Sequence, residues 1–192
     1  VRKLTKDGMV ITVNGSTGEI YKGAVAQTIS RQLSAISHPN AKKLKTATKV
    51  YVNLAEVSRA NVVSKMNVDG VGLLRAEFMV ADIGTHPRIF IADKKQQVFI
   101  HKLAEGMETF CSAFSPRPVI YRATDFRTNE YRNLKGGAAF EPPEENPMLG
   151  FRGAARYIAD SQVFDLELEA IKLVRNKNGF KKTEVPITVS IK

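Results

Sequence analysis

The sequence predicts an α/β fold: about four β/α units, as in half of an eight-stranded TIM-type barrel, preceded by a β-hairpin. Three observations predict it. Short β-branched or apolar runs, KVYVNL, VGLL, PVIY and VPITVSI, recur between residues 49 and 192. Stretches with helical periodicity lie between them, and strands alternating with helices favour parallel β/α units. Two of the runs end on an arginine, Arg75 after VGLL and Arg122 after VIY. Polar ligand groups of α/β folds collect at the C-terminal ends of such strands.

The elements follow in order. GMVITVNGSTGEIYKGAV holds two alternating runs, Met9 to Val13 and Glu19 to Tyr21, separated by a glycine-rich turn, and reads as a β-hairpin. A polar, Ser/Lys-rich segment at 28–48 reads as a linker, with His38-Pro39-Asn40 as a turn. Strands are expected at 49–54, 71–75, 118–122 and 185–191, and a helix at 56–66. Gly84 and Pro87 break the segment after Arg75. A helix is expected over 94–114, where Val98, Phe99, Leu103, Met107, Phe110 and Phe114 share a face and form core. Residues 127–148 read as a long polar excursion. A last helix is expected over 161–175, with Ser161 as N-cap and Leu166, Ala170, Leu173 and Val174 on one face. Four strands do not close a barrel, so the sheet is open or the chain is a piece of a larger protein.

Composition narrows the function classes. With 43% hydrophobic and 25% charged residues, the 192-residue chain has a globular composition. It holds no apolar run long enough to span a bilayer and no signal-peptide core at its N-terminus. The single cysteine, Cys111, cannot form an internal disulfide, which suits a reducing compartment. It reads as a buried apolar thiol rather than a nucleophile. His38, His86 and His101 are scattered and make no metal-ligand spacing with it. The net charge of +10 favours an anionic partner. Its lysines are spread out and not interleaved with aromatics, unlike a single-strand-binding surface.

The candidate site rests on three arginines. Arg75 and Arg122 stand at strand ends, with Glu77 and Asp125 close behind them. Arg152 lies in NPMLGFRGAAR between Gly150 and Gly153, where the backbone can bend sharply and approach a ligand. A guanidinium presents a planar fork to a carboxylate or phosphate. The three could converge on one small dianion, or form a salt-bridge layer capping the sheet.

The motifs DGVGLLRAEFM, PVIYRATDFRTNEYRNLKGG and EENPMLGFRGAARY, in that order, resemble the PEP-utilising enzymes. The likeness covers residues 49–180 and is strongest to the phosphoenolpyruvate synthase branch. The family also includes pyruvate phosphate dikinase and Enzyme I of the sugar phosphotransferase system. The hairpin resembles the end of the swivelling phosphohistidine domain that precedes the barrel. The resemblance implies three regions: 1–27 from that domain, 28–48 as linker, and 49–192 as the first half of the barrel.

It also implies a reaction, the formation of phosphoenolpyruvate, AMP and phosphate from pyruvate, ATP and water through a phosphohistidine. By this resemblance Arg75, Arg122 and Arg152 bind substrate, and Glu77, Asp125 and Glu145 are the partners that aim them. No histidine here matches the TxHxA-type motif of the carrier, and Cys111 does not match the family's acid/base cysteine. Magnesium ligands are expected beyond residue 192, and ATP in another domain. The piece is therefore expected to be inactive alone, to bind no metal by itself, and to belong to a cytoplasmic homo-oligomer that meets neither nucleic acid nor membrane. The alternatives are a sister phosphotransferase, or a basic anion- or nucleic-acid-binding module.

Overall fold

The structure, a computed structural model, describes residues 8–14, 18–24, 47–177, 179–180 and 187–188. The chain divides into two compact units, Val1–Lys42 and Lys43–Lys192. In the first, β1 (Ile11–Asn14) pairs antiparallel with β2 (Glu19–Lys22), the hairpin expected from the alternating runs. Most of the expected linker lies outside the described residues.

The second unit is built on a parallel sheet of β3 (Tyr51–Leu54), β4 (Gly70–Arg75), β5 (Val119–Arg122) and the two-residue β6 (Ile187–Thr188), in that order. Sequential order with helical crossovers is consistent with part of an α/β barrel. The expected last strand, 185–191, is described only at those two residues.

Helices cover the sheet. After β3 come a 3-10 turn (Val57–Arg59) and the short α1 (Ala60–Val63), less than the helix expected over 56–66. The segment broken by Gly84 and Pro87 holds α2 (Ala76–Ile83) and α3 (Pro87–Ala92). Pro87 sits in the first turn of α3, where its missing N–H costs nothing. The long α4 (Gln96–Phe114) buries Phe99, Leu103, Met107, Phe110 and Phe114 as its periodicity predicts, while Val98 at the edge of the stripe stays exposed. It packs against α7 (Gln162–Lys172), α1, α2 and α3. Burial of the Cys111 thiol in α4 pushes its pKa up to about 11, which keeps it protonated and inert.

The polar excursion is partly ordered, with α5 (Thr128–Arg132) and a 3-10 turn (Gly137–Ala139). A further helix, α6 (Ala154–Ala159), starts just after Gly153. Ser161 is not a side-chain cap for α7; its hydroxyl donates to Asp165 Oδ2 at 3.1 Å. A π-helical turn (Leu173–Lys177) continues α7 and buries Val174.

Candidate functional site

Parallel pairing of β4 with β5 makes Arg75 and Arg122 register partners at the last rung of the ladder. Both side chains therefore emerge at the same end of the sheet. Here they line an open cleft of about 420 Å³ together with Glu77, Asp125, Arg127 and Arg152.

A chain of hydrogen bonds sets the positions. Glu77, in the first turn of α2, is nearly buried. Its Oε1 accepts from Arg122 Nη2 at 2.5 Å and from the backbone N–H of Asp125 at 2.9 Å. The Asp125 carboxylate then accepts a two-pronged contact from Arg152, Nε to Oδ1 at 2.9 Å and Nη2 to Oδ2 at 2.6 Å. Such a fork fixes both the position and the plane of a guanidinium. The hydrogen bond to Asp125 holds the Arg152 pKa above its ordinary value. One carboxylate of α2 thus positions Arg122 directly and, through the backbone of Asp125, positions Arg152.

The two glycines around Arg152 have different reasons. Gly153 has φ 60 and ψ −141, a conformation open to glycine alone without strain, and it turns the chain into α6. Gly150 lies against Glu144, whose carboxylate would collide with any Cβ there. Glu144 accepts from Thr128 Oγ1 at 2.5 Å and from the Phe151 N–H at 2.9 Å. These bonds, that of Thr128 foremost, hold its carboxyl below the usual range. The expectation for Glu145 is corrected here. Glu145 is exposed and pairs with none of the three arginines, and its neighbour Glu144 braces the loop instead.

Arg75 differs from the others. It is exposed, and among the described residues no carboxylate or hydrogen-bond acceptor holds its side chain. Glu77, two residues on, is committed to Arg122.

Sequence reasoning passed over Arg127. It lines the same cleft, pairs with Glu130 at 2.6 Å, and aims Nη1 at the Met148 sulfur at 3.4 Å. The Arg152 Nη1 approaches the same sulfur at 3.8 Å. Hydrogen bonding from Arg127 holds Glu130 below the ordinary carboxylate range. The signal was present as the i, i+3 spacing of Arg127 and Glu130, a capping-box spacing with an unusual first residue.

Two buried polar clusters behind the rim also escaped sequence reasoning. Glu141 accepts from Arg156 through both oxygens, at 2.6 and 2.9 Å, and lies 3.1 Å from His86 Nε2. His86 Nδ1 accepts from the Arg88 N–H at 3.2 Å, so Nε2 carries the proton toward Glu141. The scattered histidine is therefore a buried structural partner. Glu167, fully buried on α7, accepts from the hydroxyls of Tyr121, Thr124 and Tyr157 and from the Thr124 N–H. Burial outweighs these bonds and pushes its pKa up.

A family model described as "PEP-utilising enzyme, PEP-binding domain" matches residues 30–191. The chain is 42% identical to "Phosphoenolpyruvate synthase" of Aeropyrum pernix, over 95% of this chain and 24% of that protein. It is 40% identical to "Probable phosphoenolpyruvate synthase" of Staphylothermus marinus, over 92% of this chain and 23% of the relative. It is 37% identical to "Phosphoenolpyruvate synthase" of Pseudomonas aeruginosa, over 96% and 26%. The chain spans about a quarter of the length of these relatives. With the PEP-binding domain matched over most of its length, this chain belongs to the PEP-utilising enzyme family.

Proposed function

We propose that this chain is the first half of the TIM-type barrel of a phosphoenolpyruvate synthase, and that its arginine cleft binds pyruvate and phosphoenolpyruvate. The complete protein would form phosphoenolpyruvate, AMP and phosphate from pyruvate, ATP and water. The observation that carries this reading is the register pairing of Arg75 with Arg122 at one rim, with Arg75 uncommitted to any carboxylate among the described residues. A salt-bridge layer that merely capped the sheet would pair Arg75 as well.

The chemistry suits the geometry. Phosphoenolpyruvate carries a carboxylate and a phosphate, and desolvating such charges is costly unless cations are in place. Arg122 and Arg152 are held in advance by Glu77 and Asp125, so little ordering remains to be done on binding. Arg75 supplies a charge that no partner among the described residues neutralises. Phosphoryl transfer asks mainly for positioning and for neutralisation of charge on the transferring oxygens, which fixed guanidinium groups provide. The phosphoryl group would arrive on a histidine of the swivelling domain, of which the hairpin is the end, and ATP would react in another domain.

The magnesium ion implied by the family does not fit the carboxylates of this cleft. Glu77, Asp125 and Glu130 each already hold an arginine, and among the described residues no cluster of three metal-ligating side chains occurs. Its ligands are placed beyond Lys192 in this reading. A cytoplasmic location fits a chain whose one cysteine is a buried free thiol.

The test compares the full-length protein with residues 1–192 alone. The full-length protein should convert pyruvate and ATP to phosphoenolpyruvate with release of AMP and phosphate, and the isolated segment should not. Turnover by the purified segment, or a full-length protein that ignores pyruvate, overturns the reading.

A further inference from the structure

The four cleft arginines are not equally committed. Arg152 is held by a two-pronged contact to Asp125, with side chains 15% and 9% exposed, and Arg122 by Glu77, at 23% and 11%. Arg127 and Glu130 are both 35% exposed and joined by a single 2.6 Å contact between side chains. A pair this much more open than the other two exchanges more readily, because water reaches and competes for both partners. The other arm of Arg127 rests on the Met148 thioether, a weak acceptor. That sulfur also receives the Nη1 of Arg152, so two guanidinium groups converge on one soft atom at the cleft wall. Like charges brought that close are stabilised by a harder acceptor between them.

Release of Arg127 would leave the local fold in place. Glu130 Oε2 accepts from the backbone N–H of Arg127 at 2.8 Å, independently of the side chain. The start of α5 therefore stays capped if the guanidinium swings away.

We propose that Arg127 is an exchangeable arginine of the cleft, which leaves Glu130 and Met148 to bind a phosphoryl oxygen of the ligand beside Arg152. This rests on the reading of the cleft as a phosphoenolpyruvate and pyruvate site. Arg127 then determines specificity: it contributes to binding the phosphorylated ligand and not to binding pyruvate. Glu130 competes with the ligand for it.

The experiment measures the affinities of the full-length protein for phosphoenolpyruvate and for pyruvate, separately, by calorimetry. Arg127→Gln should weaken phosphoenolpyruvate by about tenfold or more, the scale of a lost charge-assisted hydrogen bond, and leave pyruvate unchanged. Glu130→Gln keeps a residue that can cap α5 and removes the competing charge. It should bind phosphoenolpyruvate at least as tightly as the parent. Arg127→Lys, which keeps charge without the fork, should fall between the parent and Arg127→Gln. Equal losses for both ligands in Arg127→Gln mean a structural role and overturn the proposal, as does no loss for either, or weaker phosphoenolpyruvate binding in Glu130→Gln. If Arg127→Gln does not fold, the Glu130→Gln result decides alone. A parent protein that binds neither ligand defeats the underlying reading of the site. A parent that binds both, with Arg127→Gln unchanged, defeats only the role of Arg127.

Discussion

Arg75 and Arg122 are direct partners across the parallel ladder of β4 and β5, yet among the described residues only Arg122 of the two is tied to a carboxylate, through Glu77 Oε1 at 2.5 Å. The same substitution should therefore have different consequences at the two positions. Arg→Lys keeps the charge and loses the planar fork. In the full-length protein both variants should lower pyruvate-side turnover by about two to three powers of ten, the scale of losing one preorganised charge-stabilising donor. Arg122→Lys should also lower stability by about 1–3 kcal/mol, because Glu77 loses a charged hydrogen bond at a nearly buried site. Arg75→Lys should leave the melting temperature unchanged. ATP-side exchange should survive in both, and Lys94→Gln, at an exposed surface position, should change nothing. Equal stability losses at 75 and 122, or near-normal pyruvate-side rates, contradict this account.

Gly153→Ala tests how Arg152 is presented. The native φ of 60 with ψ −141 is strained for any side chain, and such strain costs on the order of 1–3 kcal/mol. The variant should unfold at lower denaturant concentration by that amount, with weaker binding of phosphoenolpyruvate as Arg152 leaves its contact with Asp125. An unchanged unfolding midpoint would show that the turn relaxes freely and that glycine is not needed there.

Much of this site could be read from the chain, for identifiable reasons. Strand ends are marked by where apolar runs stop, so Arg75 and Arg122 could be placed at one rim from local pattern alone. Arg152 was marked by its glycines, and the heavy Phe, Leu and Met periodicity of α4 fixed the core. Pairing was not readable. Glu77 lies two residues from Arg75 but serves Arg122, because the choice is made across the sheet by register. Glu144 and Glu145 are identical in type and adjacent, and only the course of the 146–153 loop decides which one turns inward. The His86–Glu141–Arg156 and Glu167 clusters contain hydrogen bonds between residues up to 55 positions apart, which no local spacing reveals. Short helices such as α3 and α6 carry too few periodic positions to be seen.

Glu141 gives the protein an acid-sensitive element. Burial pushes its pKa up, but hydrogen bonds from His86 and Arg156 outweigh this and hold it below the ordinary value. A carboxylate with a lowered folded pKa stabilises the protein fully above its unfolded pKa of about 4.3. That contribution is lost as pH falls through the lowered folded value. Urea midpoints of the parent should therefore drop at the acid end, and this part of the drop should be missing in Glu141→Gln. Arg156→Leu leaves the buried carboxylate without its main partner and should cost about 3–5 kcal/mol at neutral pH. A parent and a Glu141→Gln variant with parallel pH profiles would remove Glu141 from the acid response.

Glu167 should behave in the opposite sense. It has no exposed surface, and among the described residues its hydrogen bonds come from hydroxyl groups and one N–H, with no cation. Burial raises its pKa above the ordinary value despite those bonds. The stability it confers is complete below its unfolded pKa of about 4.3 and is lost as pH rises from there through the raised folded value. Glu167→Gln removes the ionisation while keeping an acceptor for the Tyr121 hydroxyl and the Thr124 N–H, and the hydroxyls of Thr124 and Tyr157 can turn to accept from the new amide. It should match the parent at acid pH and be more stable at alkaline pH. Glu167→Ala leaves those buried donors unpaired at about 1–3 kcal/mol each and should be strongly destabilised at every pH. Thr124 lies between Arg122 and Asp125, so loss of this anchor should also loosen the rim and weaken phosphoenolpyruvate binding in the full-length protein. Denaturation of the parent and both variants across pH 4 to 9 decides the matter: if Glu167→Gln is less stable than the parent throughout, the carboxylate is charged and stabilising in the fold, and burial does not raise its pKa there.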